Sequence, residues 1–139
     1  MMRNSLRLAK KGYGFVAPNP LVGATIVKDN RIIGEGWHQK FGEEHAEINA
    51  IKQATESVQN STIYISLEPC SHQGKTGACS LELIKSGFKR VVIACLDPNP
   101  LVAGNGVKML QDAGIEVEVG ILKDEASLLN ERFFKFIKN

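Results

Sequence analysis

Cysteine is scarce in this chain, with three residues in 139. An odd count makes no disulfide framework, and a reduced, cytoplasmic setting is the expectation that follows. An excess of one charge is missing too: the formal net charge is +2, and no arginine-rich or lysine-rich run stands out. Binding to nucleic acid needs a concentrated basic patch, so no nucleic-acid partner is expected. No apolar stretch approaches the roughly 18 residues that a membrane helix requires, so no membrane partner is expected. Met1 to Lys11 lacks a continuous apolar core and a small-residue cleavage site, which argues against a secretory signal there. Low-complexity segments and a sustained internal period are also missing, which excludes a tandem-repeat fold.

What is present suits one globular domain spanning residues 1–139, long enough to bury a full core. Its 43% apolar and 23% charged residues are ordinary for such a protein. Met2, Leu6 and Ala9 recur at helical spacing, and Lys10-Lys11-Gly12 supplies a basic end and a stop. With two methionines and no cap at its abrupt start, a further turn upstream is an expectation for this helix. Residues 13–20 carry one glycine and two prolines and read as a loop. Leu21 to Val27 and Arg31 to Glu35, joined by Lys28-Asp29-Asn30, read as a β-hairpin, followed by a loop over Gly36 to Gly42 that holds Trp37 and His38. Glu43-Glu44 reads as the acidic opening of a helix that continues through Ala46, Ile48, Ala50, Ile51 and Ala54. Thr62 to Leu67, Arg90 to Leu96 and Ile115 to Val119 read as strands. Ser80 to Lys85, Val107 to Ala113 and Lys123 to Ile137 read as helices, the last with Leu128, Leu129, Phe133, Phe136 and Ile137 on one side. Alternation of strands with helices after the hairpin argues for an α/β sheet covered on both faces.

All five prolines fall in three segments: 18–20, 69 and 98–100. Proline fixes φ and stiffens a loop, so three stiff loops at strand ends would frame one pocket. Two of them echo each other, as Pro18-Asn19-Pro20-Leu21-Val22 and Pro98-Asn99-Pro100-Leu101-Val102.

The chemistry-bearing residues concentrate between positions 45 and 79. His45, Cys70 and Cys79 make three soft-to-borderline ligands that suit one Zn²⁺ per chain, and three ligands leave a position for water. A closed structural site would need a fourth ligand. Cys95 is a candidate, but it ends a strongly apolar strand and reads better as core. A lone histidine with two thiols is ordinarily a satisfied polar group and two core residues. Residue type, order and the adjacent Pro69 together argue otherwise: His-x-Glu, then Pro-Cys and a second Cys, is the signature of zinc base deaminases, with the Glu outside the metal shell. Glu47 is the candidate proton carrier.

His45 and Glu47 are two apart, which on a regular helix sends them to nearly opposite sides. They share a site only at a helix N-terminus, where side chains gather over the axis. Cys70 follows Pro69 at a strand-to-helix turn, and a helix N-terminus favours thiolate. His38 reads equally as a substrate hydrogen-bond donor or as a loop histidine. His72 and Lys75 lie between the ligand cysteines, which brings them near the metal, and Lys75 reads as an anion contact or as a solvated lysine. Asp97 and Asn99 end the most hydrophobic strand, where α/β sheets bind ligands, and Asn19 holds the matching place in the first echo. As turn formers these three need no function.

The spacing between the two cysteines distinguishes among deaminases. Cytidine, deoxycytidylate, guanine and tRNA adenosine deaminases usually keep two residues between these ligands, whereas Cys70 and Cys79 have eight between them. The chain resembles the deaminase domain of the bacterial riboflavin-biosynthesis enzymes, the diaminohydroxyphosphoribosylaminopyrimidine deaminases. The blocks that match run nearly the whole length: Ala17-Pro18-Asn19-Pro20 with Val22-Gly23-Ala24, Gly36-Trp37-His38, His45-Ala46-Glu47, Leu67-Glu68-Pro69-Cys70-Ser71-His72, Asp97-Pro98-Asn99-Pro100, and Leu129-Asn130-Glu131-Arg132-Phe133-Phe134.

The resemblance implies a cytidine-deaminase-like three-layer α/β/α fold with a mixed five-stranded sheet. It implies zinc on His45, Cys70 and Cys79, Glu47 as proton shuttle, and Asn19, His38, His72, Lys75, Asp97 and Asn99 as substrate-binding residues. The implied substrate is a phosphorylated pyrimidine, a diaminopyrimidinone ribosylamine phosphate that loses ammonia. Family enzymes in most bacteria continue into an NADPH-dependent reductase domain. Here the chain stops at Lys138-Asn139, so a truncated form or a stand-alone deaminase is expected, with the reductase domain or partner elsewhere. A homo-oligomer is also expected; Trp37 and the apolar last helix are candidate interface elements that core burial explains equally well.

Overall fold

The computed structural model describes residues 1–71 and 78–138, with side chains described as far as Glu131. Ten elements follow in the order α1 (Met2–Lys10), β1 (Gly23–Lys28), β2 (Arg31–Trp37), α2 (Ala46–Gln53), β3 (Thr62–Ile65), α3 (Cys79–Ser86), β4 (Arg90–Ile93), α4 (Asn105–Asp112), β5 (Glu116–Val119) and α5 (Lys123–Lys138). The five strands form one sheet in the order β2-β1-β3-β4-β5. The pairings β1–β2 and β1–β3 are antiparallel, and β3–β4 and β4–β5 are parallel. The expected mixed five-stranded sheet is therefore present.

Period-two alternation along the central strands builds the layers. Ala24, Ile26, Ile63, Ile65, Val91 and Ile93 point to one face and pack with Ala46 and Ala50 of α2, Leu83 of α3 and Leu110 of α4. The intervening Val92 points to the other face, where it packs with Met2 and Leu6 of α1 and Ala126 of α5. Each fully buried isoleucine or leucine in these layers stabilises the fold by about 1.5–3 kcal/mol. Thr25 also faces α1, and its hydroxyl lies 2.8 Å from the buried hydroxyl of Ser5. That contact satisfies two polar groups an apolar interior would otherwise penalise.

The hairpin is a two-residue turn with positive φ at both Asp29 (52°) and Asn30 (62°). Such a turn matches the twist of the flanking strands, and Asp and Asn tolerate the left-handed region better than most residues. The second strand runs on to Trp37, past the expected end at Glu35, because Gly23 and Ala24 of β1 pair with Trp37 and Gly36. Helix α2 corrects the expectation in the opposite direction. Glu43 and Glu44 lie outside it; His45 is the N-cap, in extended conformation, and Glu47 is the acidic residue of the first turn. The third and fourth strands end earlier than expected, at Ile65 and Ile93. In the last helix, Phe133, Phe136 and Ile137 fall outside the described side chains.

Strand directions decide where the loops meet. The start of β1 pairs with the end of β3, as Ala24 with Ile65, and Ile65 pairs with Ile93 near the end of β4. Gly23 of β1 pairs with Trp37 at the end of β2. The segments bearing Asn19, His38, Cys70 and Asp97 therefore all leave the sheet at the same end. Pro20 and Pro98, from the two echoing loops, line one cavity of about 290 Å³.

Candidate active site

The site is built at the N-termini of two helices. His45, as N-cap of α2, has φ −75° and ψ 169°, so its backbone is extended and it stands at the helix end rather than within its turns. Glu47, two residues further in, is 3% exposed. Close packing fixes this helix end against the sheet: a Cβ on Gly36 would lie 2.3 Å from the Ala50 nitrogen and 2.5 Å from the Ala46 oxygen. Only a residue without a side chain lets α2 sit this near β2.

Cys79 is the first residue of α3. Its backbone N–H donates to Cys70 Sγ at 3.1 Å, and the next amide, Ser80 N–H, donates to the Cys70 carbonyl at 3.0 Å. The Ser80 hydroxyl donates to the Pro69 carbonyl at 3.3 Å. Helix α3 therefore holds the Cys70 segment through three bonds. His45 Nδ1 lies 3.1 Å from Cys79 Sγ.

One ligand atom from each of His45, Cys70 and Cys79 lies within 4.8 Å of the others. Tetrahedral zinc with ligands at about 2.0–2.3 Å places its donors roughly 3.5–3.8 Å apart, so this cluster closes on such an ion with small adjustments. The donor set fits as well: two sulfurs and one imidazole nitrogen, with no fourth ligand in the group among the described residues. Cys95 is apart from it. Its thiol faces the Ser66 carbonyl at 3.5 Å in the core on the α1–α5 side, as its apolar strand suggested.

The thiols are electrostatically unequal. Cys70 is lowered to about 4, first by its hydrogen bond with the Cys79 thiol and then by that with His45, against the opposing effect of burial. Cys79 is pushed up by holding the shared proton and by burial. His45 is raised, chiefly by the Cys70 sulfur beside it. A dication held by His45, Cys70 and Cys79 would replace the shared proton and favour both thiolates. Burial pushes the Glu47 carboxyl up, partly offset by a hydrogen bond to its own backbone N–H and by the His45 charge. Its Oε1 is buried and has no hydrogen-bond partner among the described residues.

His38 and Asn19 come together, but not as two free pocket groups. Since a carbonyl only accepts, His38 Nδ1–H donates to the Glu44 oxygen at 3.1 Å, which leaves Nε2 to accept from Asn19 Nδ2 at 3.1 Å. The His38 ring is 2% exposed and meets the His45 ring edge-on, with centroids 5.2 Å apart. Burial lowers its pKa first, with the Glu44 carbonyl opposing. Asp97 and Asn99 shape their own loop: the Asp97 carboxylate accepts from Asn99 N–H at 2.8 Å, and Asn99 Oδ1 accepts from Leu101 N–H at 3.0 Å. His72 and Lys75 lie outside the described residues.

Two buried polar residues carry weight that sequence reasoning did not assign them. Asn130 of α5 accepts from Leu21 N–H at 2.8 Å and donates to the Leu21 carbonyl at 3.2 Å, which ties down the first Pro-Asn-Pro segment. Glu68 accepts from Asp97 N–H at 3.1 Å, Gly104 N–H at 2.9 Å and Val107 N–H at 3.1 Å. The only sequence signal for either was its place inside a matching block.

Known proteins agree with this geometry. Residues 1–95 match the cytidine and deoxycytidylate deaminase zinc-binding region. The chain is 49% identical to a diaminohydroxyphosphoribosylamino-pyrimidine deaminase of Buchnera aphidicola, over 96% of this chain and 91% of that one. It is 52% identical to the riboflavin biosynthesis protein RibD of Aquifex aeolicus, over 98% of this chain but only 38% of that protein's length. The solved Thermotoga maritima diaminohydroxyphosphoribosylaminopyrimidine deaminase/5-amino-6-(5-phosphoribosylamino)uracil reductase superposes with a TM-score of 0.90 at 48% identity, over 99% of this chain and 40% of that one. The chain thus spans about two fifths of the Aquifex and Thermotoga proteins and nearly all of the Buchnera deaminase. Among the described residues, no helix is long and apolar enough to cross a membrane. By matched region, identity and fold, the chain belongs to the zinc-binding cytidine and deoxycytidylate deaminase family, in the group of the diaminohydroxyphosphoribosylaminopyrimidine deaminases of riboflavin biosynthesis.

Proposed function

We propose that this chain hydrolytically deaminates diaminohydroxyphosphoribosylaminopyrimidine, exchanging one ring C–NH₂ bond for a carbonyl, with one water consumed and one ammonia released. The observation that carries the reading is the pairing of an open three-ligand cluster with a buried carboxylate, Glu47, that is not one of the ligands. A structural zinc site has no use for such a carboxylate.

His45, Cys70 and Cys79 would hold zinc, which when bound supplies Lewis acidity that brings a water's pKa toward neutrality. Glu47 is the proton carrier. Burial raises its proton affinity, so it carries the attacking water's two protons in turn, the first to the ring nitrogen and the second, from the hydroxyl of the tetrahedral adduct, to the departing amine. Proton delivery to the ring nitrogen matters because attack interrupts the ring's delocalisation. Asn19 has a side chain at the pocket end of the sheet. His38 acts behind it, since both of its ring nitrogens are engaged. Asp97 and Asn99, together with His72 and Lys75 from the segment between the ligand cysteines, complete the set of substrate contacts in this reading. The relatives that couple deaminase and reductase in one chain suggest that the product passes to an NADPH-dependent reductase domain or partner. Ammonia release from the purified precursor, set against cytidine, tests the reading.

A further inference from the structure

We infer that Glu68 is a positioning residue that fixes the Asp97–Gly104 loop against the Cys70 segment and thereby sets substrate affinity rather than metal binding. This inference rests on the proposed deaminase reading for its kinetic consequence only. Glu68 stands two residues before Cys70, and its backbone N–H donates to the Cys95 carbonyl at 2.9 Å. The carboxylate is 6% exposed. Its Oε1 gathers both ends of the loop, Asp97 N–H at 3.1 Å and Gly104 N–H at 2.9 Å. Its Oε2 takes Val107 N–H in the first turn of α4. Among the described residues, no other side chain from outside the loop bonds the backbone of residues 97–104. The loop's remaining bonds run within it, through Asp97, Asn99 and Val102, or to the start of α4, where Asn105 N–H and Lys108 N–H donate to the Val102 and Gly104 carbonyls.

The clamp is tight on its other side as well. A Cβ on Gly106 would lie 2.2 Å from the Pro69 oxygen and 3.2 Å from Glu68 Cγ, so α4 begins directly against the ligand segment. Cys70, by contrast, does not depend on the carboxylate: α3 already secures its segment through Cys79 N–H, Ser80 N–H and the Ser80 hydroxyl. Removing the carboxylate should therefore release the loop and leave the ligands in place.

Glutamine at this position offers one accepting oxygen and turns an amide donor toward backbone N–H groups. In Glu68→Gln, kcat/KM for the diaminopyrimidine precursor should fall about tenfold through KM, with zinc still one per chain. A folded, zinc-loaded variant with unchanged KM overturns the inference, as does loss of zinc at unchanged KM. Amide hydrogen exchange is the second arm. Asp97 and Gly104 should be protected in the unaltered protein and lose about tenfold of that protection in Glu68→Gln. Unprotected Asp97 and Gly104 amides in the unaltered protein overturn the clamp whatever the variant does. If the unaltered protein releases no ammonia from the precursor, the functional reading falls while the exchange arm still decides the clamp.

Discussion

His45 Nδ1 and Cys79 Sγ meet at 3.1 Å although they stand 34 positions apart. The contact exists because each residue sits at the start of a helix, His45 as the N-cap of α2 and Cys79 as the first residue of α3. Two helix N-termini converging on one point give the site its partial positive field, which favours thiolates and carboxylates there.

Glu47 shares this helix start without being a ligand. Glu47→Gln keeps the shape and removes the proposed proton carrier. The expected outcome is an unchanged zinc content with a fall of about 100-fold or more in kcat, the usual scale of general acid–base catalysis. Steady-state ammonia release on metal-analysed protein measures it. Near-normal turnover would remove Glu47 from the mechanism.

Gly36 transmits packing to chemistry. Gly36→Ala drives a methyl into the backbone of Ala46 and Ala50, next to the helix end that carries His45 and Glu47. Overpacking of this kind costs about 1–3 kcal/mol, which for a domain of this size lowers Tm by roughly 4–12 °C. Calorimetry checks the shift, and zinc affinity should weaken with it because α2 must back away. A variant with unchanged Tm and unchanged metal binding would show that α2 has slack at this contact.

His38 sets one component of the acid response. Burial depresses its folded pKa below 6.5, so the unfolded chain takes up the proton first. The associated stability is fully present above 6.5 and is lost as pH falls from there through the folded value. His38→Gln removes the titrating group while keeping one donor and one acceptor. Denaturant midpoints at about pH 7.5 and about pH 5 should converge more in the variant than in the unaltered protein. Equal losses in both would assign the acid response to other groups.

The strands, the opening hairpin and the candidate ligand triad were readable because each leaves a local mark, whereas the mixed sheet came from the family resemblance. The β-branched runs at Thr62 and Arg90 announce buried strands, and His45, Glu47, Cys70 and Cys79 combine residue type with order. The start of α2 was misjudged because Glu43 and Glu44 carry the usual acidic signal, while His45 takes the cap by tertiary packing instead. Glu68 and Asn130 were invisible as working residues for a different reason. Their partners are backbone amides and carbonyls, 29 to 39 residues away for Glu68 and 109 away for Asn130, and backbone groups carry no residue identity to match. His38 was legible as a site histidine, but its direction was not. Only the placement of Asn19 and the Glu44 carbonyl reveals that both ring nitrogens are taken.

The central claim is that this zinc site acts on the riboflavin precursor rather than on a nucleoside. Ammonia release by zinc-loaded protein, measured in parallel on diaminohydroxyphosphoribosylaminopyrimidine and on cytidine, tests it most directly. The account predicts one zinc per chain, release from the precursor, and none from cytidine. One zinc per chain with release from cytidine and none from the precursor would contradict it.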